Sequence, residues 1–178
     1  MSTPALYDVR LVIFDLDGTL RRARQPLRSA PRGAADWELL PNVRATIATL
    51  RARDPDLRFG VASNQDDVAA GKIDFETAQR LARDACTAAG IADAMIEICP
   101  HGDAGCSCHK PEPGMLRRIA ARAGIEPVEI LVVGNGDNDR EAAERLGSRF
   151  VTSADFFARR PRGIFEIARR ISRMGGAR

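Results

Sequence analysis

Apolar residues fall in short blocks separated by polar punctuation, and the blocks alternate between two periods. Val9, Leu11, Val12, Ile13 and Phe14 run almost unbroken, as in a strand buried on both faces. Strands are expected at residues 9–15, 58–63, 94–98, 130–133 and 150–152. Between them the spacing is helical. Over 43–53, Val43, Ile47 and Leu50 share one face. The segment 74–89 starts on an Asp74 cap, carries Phe75, Ala78, Leu81, Ala82 and Ala85 in one stripe and stops at Gly90. Pro113 opens a helix through Met115, Leu116, Ile119 and Ala123 that ends at Gly124, and 139–146 follows, ended by Gly147. Strands alternating with helices predict an α/β fold, a Rossmann-like three-layer sandwich around a central parallel sheet. Ligands of such sheets bind at the carboxyl ends of the strands.

The first strand ends in Phe14-Asp15-Leu16-Asp17-Gly18-Thr19. Residues two apart on a strand point the same way, so Asp15 and Asp17 address one ion or substrate. Two unpaired carboxylates so close repel, which raises one pKa or recruits a metal. Gly18 allows a sharp turn, and Thr19 offers a hydroxyl and a backbone N–H. The plainer reading is a strand that ends in a polar turn.

A second constellation is Cys99-Pro100-His101 with Cys106-Ser107-Cys108. Two thiolates and an imidazole plus a third thiolate make a closed tetrahedral set, which predicts a structural zinc held by Cys99, His101, Cys106 and Cys108. The alternative is a disulfide, which the absence of a signal peptide disfavours. Cys86 stands apart on a helix and is expected to be a small core residue.

Four stretches in order, Asp15-Leu16-Asp17-Gly18-Thr19, Val61-Ala62-Ser63-Asn64, Lys110-Pro111 and Val133-Gly134-Asn135-Gly136-Asp137-Asn138-Asp139, resemble the motifs of the haloacid dehalogenase (HAD) superfamily of phosphatases. The zinc loop directly ahead of Lys110-Pro111-Glu112-Pro113-Gly114-Met115 is similar to that of its small, capless heptose-bisphosphate and histidinol-phosphate phosphatases. The resemblance implies a Mg²⁺-dependent phosphomonoester hydrolase. Asp15 would be the nucleophile and form an aspartyl-phosphate; Asp17 would protonate the leaving alcohol and later take a proton from water. Ser63 would hold a phosphate oxygen, and Lys110 would neutralise phosphate and nucleophile. Magnesium would sit on Asp15, the carbonyl of Asp17, Asn135 and Asp139. Thr19, Asn64 and His109 would contact substrate.

Two departures bear on this picture. Similar phosphatases carry Asp where this chain has Asn135, so the metal site has lost one negative charge. That leaves a weaker site, a site rescued by Asp137, or a non-catalytic phosphate-binding scaffold. The heptose enzymes have Arg before the motif-three Lys, where this chain has His109, so the expected substrate is a small phosphorylated sugar or related metabolite of open identity.

Composition adds limits. At 178 residues, 44% hydrophobic and 29% charged, the chain is expected to form one domain over 1–178. No apolar run is long enough to cross a bilayer, so no membrane partner is expected and the cytoplasm is the default. No cap insertion is apparent. An irregular loop at 21–40 is a candidate flap, with Arg21, Arg22, Arg24, Arg28 and Arg32 available to a second phosphate or polyanion, or simply solvated, and Trp37 as its anchor. Residues 159–178 hold seven Arg and one Glu, a net of +6; subtracted from the total of +3, this leaves −3 for the rest. A basic helix is expected at 161–173. Aromatics are only 5%, so nucleic acid, as for a polynucleotide 3′-phosphatase, is a weaker alternative. Nothing in the residues specifies an oligomeric state.

Overall fold

The computed structural model describes residues 9–25, 27–102 and 105–158. The expected helix at 161–173 lies outside them. A five-stranded parallel sheet forms the centre, in the order β5-β4-β1-β6-β7. Its strands are β1 (Leu11–Phe14), β4 (Arg58–Asn64), β5 (Met95–Cys99), β6 (Ile130–Gly134) and β7 (Arg149–Thr152). β1 is the middle strand, with Leu11 in register with Arg58 on one side and Ile130 on the other. All four of its residues are buried, as the unbroken apolar run requires.

The alternation of side chains sorts β1 into two cores. Val12 and Phe14 join Phe59, Val61, Leu131 and Val133 under helices α1 (Val43–Arg53), α3 (Phe75–Ala89) and the short α6 (Ser153–Phe156). Leu11 and Ile13 join Ile130 and Val132 under α4 (Gly114–Ala123) and α5 (Asp137–Leu146). This is the expected three-layer sandwich. Phe14 adds an aromatic cluster with Phe59, Phe156 and Phe157, at centroid distances of 6.2, 5.7 and 6.0 Å. Helix α3 starts where the cap was expected: Asp74 accepts from the Thr77 N–H at 2.6 Å. Cys86 is fully buried on it. Phe75, placed on the buried stripe by its spacing, is instead 41% exposed, as the first residue of the helix.

The segment 21–40 is not irregular. Arg21–Ala23 (β2) and Trp37–Leu39 (β3) pair antiparallel, with Arg22 opposite Glu38. Trp37 and Leu39 pack against the first core, so Trp37 is an anchor. The loop arginines are largely spent within the protein. Arg22 and Arg24 pair with Glu38, Arg28 with Asp36 at 2.7 Å, and Arg32 with Asp67 at 2.7 Å. Asp67 lies on the short helix α2 (Asp66–Ala69); the Arg32 bond outweighs desolvation and holds its carboxyl below the ordinary value. Arg21 is wholly buried. The reading of five arginines available to a polyanion is therefore narrowed: Arg21 is buried against Asp17, and the other four are paired with Glu38, Asp36 and Asp67. Among the described residues no helix is long and apolar enough to cross a membrane.

Candidate active site

The loops after β1, β4 and β6 meet at the carboxyl edge of the sheet, and the loop before α4 closes over them. β1 delivers Asp15, whose N–H donates to the Val133 carbonyl at 2.8 Å. The chain then turns sharply: Leu16 O accepts from the amides of Thr19, Leu20 and Arg21. Gly18 makes that turn at φ +85°, and a Cβ there would collide with the Asn135 amide. The Asn135 side chain thus lies over the turn that joins the two acids.

Lys110 is the hub. Its buried ammonium donates to Asp15 Oδ1 at 2.7 Å, Asp139 Oδ1 at 2.6 Å and the Ala62 carbonyl at 2.9 Å. Burial disfavours the ammonium, but Asp15 and Asp139 together outweigh that and raise its pKa. For Asp15 the balance goes the other way. Burial pushes its carboxyl up to about 6, Asp139 and Asp17 push in the same direction, and Lys110 opposes them. Asp15 Oδ2 is buried without a hydrogen-bond partner. A buried carboxylate oxygen without a hydrogen-bond donor, at the end of a strand, suits a hard cation or an electrophile.

Asp17 and Ser63 are joined by a residue the motifs did not single out. Gln65 Nε2 donates to Asp17 Oδ2 at 2.6 Å and to Ser63 Oγ at 2.8 Å. Asp17 Oδ1 also takes the Arg21 Nε–H at 2.8 Å. The four predicted catalytic residues therefore lie in two hydrogen-bonded groups, Lys110 on Asp15 and Gln65 between Asp17 and Ser63.

Three other expectations change. Asn64 spends its amide on Lys110: Oδ1 accepts the Lys110 N–H at 2.9 Å and Nδ2 donates to the Lys110 carbonyl at 3.1 Å. It clamps the lysine in place, since a substrate contact would leave the Lys110 backbone unpaired. Thr19 is fully buried with its hydroxyl unpartnered, so the turn covers it from substrate. Asp139 has no free oxygen pair to offer a metal, because Oδ1 faces Lys110 and Oδ2 accepts from the Asn135 and Gly136 amides, each at 3.1 Å. It orients Lys110 and the fourth loop. Asp137, weighed as a compensating acid, is exposed at the start of α5. His109 stands at the rim, its Nε2 2.9 Å from Asp66 Oδ1 and its Nδ1 3.3 Å from Asn64 Nδ2.

The zinc ligands converge as their spacing predicts. Cys99, His101, Cys106 and Cys108 bring one donor atom each to within 4.8 Å of all the others. The sulfurs are 3.1 to 3.5 Å apart and His101 Nδ1 is 3.2 Å from Cys108 Sγ. All four cysteines are free thiols, which removes the disulfide alternative. The Cys106 thiol is pulled down to about 6, chiefly by the Cys108 hydrogen bond and then by the Cys108 and His109 amides, while burial lifts Cys99 to about 12. Such a set suits a tetrahedral thiophilic ion, which would draw the protons from all three thiols. The loop is tied to the active site. The His109 N–H donates to Cys106 Sγ at 3.3 Å and the Gly114 N–H to the Ser107 carbonyl at 3.0 Å. A Cβ at Gly114 would strike that carbonyl, so α4 packs directly on the loop.

Known proteins resemble the chain at the levels of both sequence and fold. A family model described as haloacid dehalogenase-like hydrolase matches residues 21–147. A D-glycero-beta-D-manno-heptose-1,7-bisphosphate 7-phosphatase of Bordetella bronchiseptica is 33% identical over 144 residues, 78% of this chain and 77% of that protein. One from Pseudomonas aeruginosa is 35% identical over 140 residues, 76% of each. A crystal structure of the D,D-heptose 1,7-bisphosphate phosphatase from B. bronchiseptica, complexed with magnesium and phosphate, superposes with a TM-score of 0.67 at 26% identity, covering 93% of this chain and 99% of that one.

Proposed function

The chain belongs to the haloacid dehalogenase-like hydrolases, and from that premise we propose that it is a single-domain phosphatase which hydrolyses the phosphomonoester of a small phosphorylated sugar through an aspartyl-phosphate. The observation that carries this reading is the Lys110 ammonium between Asp15 and Asp139, with Asp17, Gln65 and Ser63 hydrogen-bonded beside it. A phosphoryl group in transfer spreads charge over its equatorial oxygens, and this arrangement sets a cation and a hydroxyl around one carboxylate nucleophile.

Asp15 attacks phosphorus as the bond to the ester oxygen breaks, and Asp17 gives that oxygen its proton. Water then attacks the phosphorus of the aspartyl-phosphate while Asp17 takes a proton from that water, and phosphate leaves with Asp15 and the protonated Asp17 restored. Lys110 holds Asp15 ionised and offsets the charge on phosphate; Ser63 donates to a phosphate oxygen. The unpartnered Oδ2 of Asp15 and the Asn135 amide over Gly18 fit a hard, oxygen-liganded ion, and with the Asp17 carbonyl they are the proposed holders of magnesium. Magnesium would supply further charge neutralisation at the phosphate oxygens. A structural zinc on Cys99, His101, Cys106 and Cys108 would keep the loop before Lys110 in register.

An amide at position 135 should weaken the metal, not exclude it. Asn135→Asp is expected to tighten magnesium binding about tenfold by calorimetric titration, since each added carboxylate charge raises affinity for a hard cation. The substrate class is tested by phosphate release from sugar phosphates, sugar bisphosphates and a 3′-phosphorylated DNA end. Sugar phosphates should have the highest kcat/KM. Faster release from DNA, weakening steeply with salt, would overturn the metabolite reading. The internal pairing of Arg22, Arg24, Arg28 and Arg32 argues against DNA.

A further inference from the structure

We propose that Arg21 is a positioning residue of this site, one that fixes the Asp17 carboxylate for its proton transfers. The inference rests on the role proposed above for Asp17. Arg21 is the first residue of β2 and stands among arginines that face solvent, yet its side chain is wholly buried. Its guanidinium makes three bonds. Nε donates to Asp17 Oδ1 at 2.8 Å, one terminal nitrogen to Asp17 Oδ2 at 3.4 Å, and the other to the Leu81 carbonyl of α3 at 2.6 Å.

The same two residues are locked through the backbone. The Gly18 N–H donates to the Arg21 carbonyl at 2.7 Å and the Arg21 N–H to Leu16 O at 3.1 Å, and a β-bridge joins Asp17 to Arg21. Arg21 thus fastens the catalytic turn to helix α3 at a point outside the phosphate pocket. Gln65 also donates to Asp17 Oδ2. A carboxylate on a turn samples several rotamers unless its neighbours stop it, and a misplacement of about 1 Å can cost on the order of 100-fold in rate. A buried guanidinium costs free energy unless it is paired. Here its partner is the group that must face the ester oxygen.

Geometry of this kind has a kinetic signature. During phosphorylation of Asp15 the ester oxygen departs with the Asp17 proton, but a strongly acidic leaving alcohol needs no proton. The ratio kcat/KM ends at that step, so its dependence on leaving-group acidity reads the transfer from Asp17. For Arg21→Lys, which keeps a cation but cannot bridge Asp17 and Leu81, kcat/KM for alkyl phosphates should fall on the order of 100-fold and for 2,4-dinitrophenyl phosphate by less than about threefold. Arg21→Met should show the same tilt more strongly; should it fail to fold, Arg21→Lys carries the test, with thermal unfolding confirming its folded state. Asp17→Asn is the reference arm and should tilt the series most. An equal loss on every substrate, or no loss on any, would overturn the role of Arg21. A flat response of Asp17→Asn itself would overturn the role of Asp17, which is the failure of the parent reading.

Discussion

Asp15→Asn is expected to lower kcat for every phosphomonoester by at least about 10⁴-fold, as removal of an essential nucleophile does, while leaving the fold intact. The second half of that expectation follows from linkage. Burial lifts the Asp15 carboxyl from its ordinary value to about 6 in the folded protein. A group with a raised folded pKa favours the native state fully only below its unfolded pKa, and this contribution is lost as pH rises through about 6. At pH 8 the ionised Asp15 is therefore a cost to stability. Asparagine removes that charge and keeps an acceptor for Lys110, which still has Asp139. The melting temperature of Asp15→Asn at pH 8 should equal or exceed that of the native sequence. Loss of activity accompanied by a large fall in melting temperature would assign Asp15 to structure instead of chemistry, and unchanged activity would remove it from the mechanism.

Cys108→Ser should damage stability and activity together. Cys108 is buried, its sulfur lies within 3.2 Å of Cys99 Sγ, Cys106 Sγ and His101 Nδ1, and Lys110 follows two residues later. Zinc bound only by the folded protein contributes its binding free energy to folding. Loss of about 4 kcal/mol in a chain of this size lowers the melting temperature by roughly 10 °C. The variant should carry no zinc by elemental analysis, melt about that much lower, and lose activity as the clamp of Asn64 on the Lys110 backbone loosens. Protein of the native sequence, purified without chelator and free of zinc, would contradict the assignment. Cys86→Ser is the control, because that thiol is buried on α3 away from the cluster.

The central strands were legible because β1 and β6 are short apolar runs buried throughout, whereas the edge strands β5 and β7 are mostly half-buried and carry Glu97 and Arg149. Helix ends were legible where an Asp cap or a glycine stop marks them, as at Asp74 and Gly90. The β2–β3 hairpin was not, since Arg-Arg-Ala has no apolar alternation and its pairing comes from Arg22 opposite Glu38 and from the docking of Trp37. The pairing of expected site residues is partly visible in the fold: Lys110 bonds Asp15, and Gln65 bonds both Asp17 and Ser63. What each side chain spends its hydrogen bonds on depends on the three-dimensional meeting of loops. Asn64 and Asp139 turned out to hold Lys110, and Gln65 to bridge two of the proposed catalytic groups. Arg21 left a faint trace, an opposite charge four residues after Asp17 across a glycine turn, but its burial depends on α3, which lies 60 residues further along.

One measurement addresses the nucleophile directly. An acyl phosphate is reduced by borohydride, so acid-quenching the protein during turnover, reducing it and sequencing its peptides by mass spectrometry locates the phosphorylated carboxyl group. Conversion of Asp15 alone to homoserine is the predicted result. Reduction at another carboxylate, or at none while substrate is still hydrolysed, would contradict it.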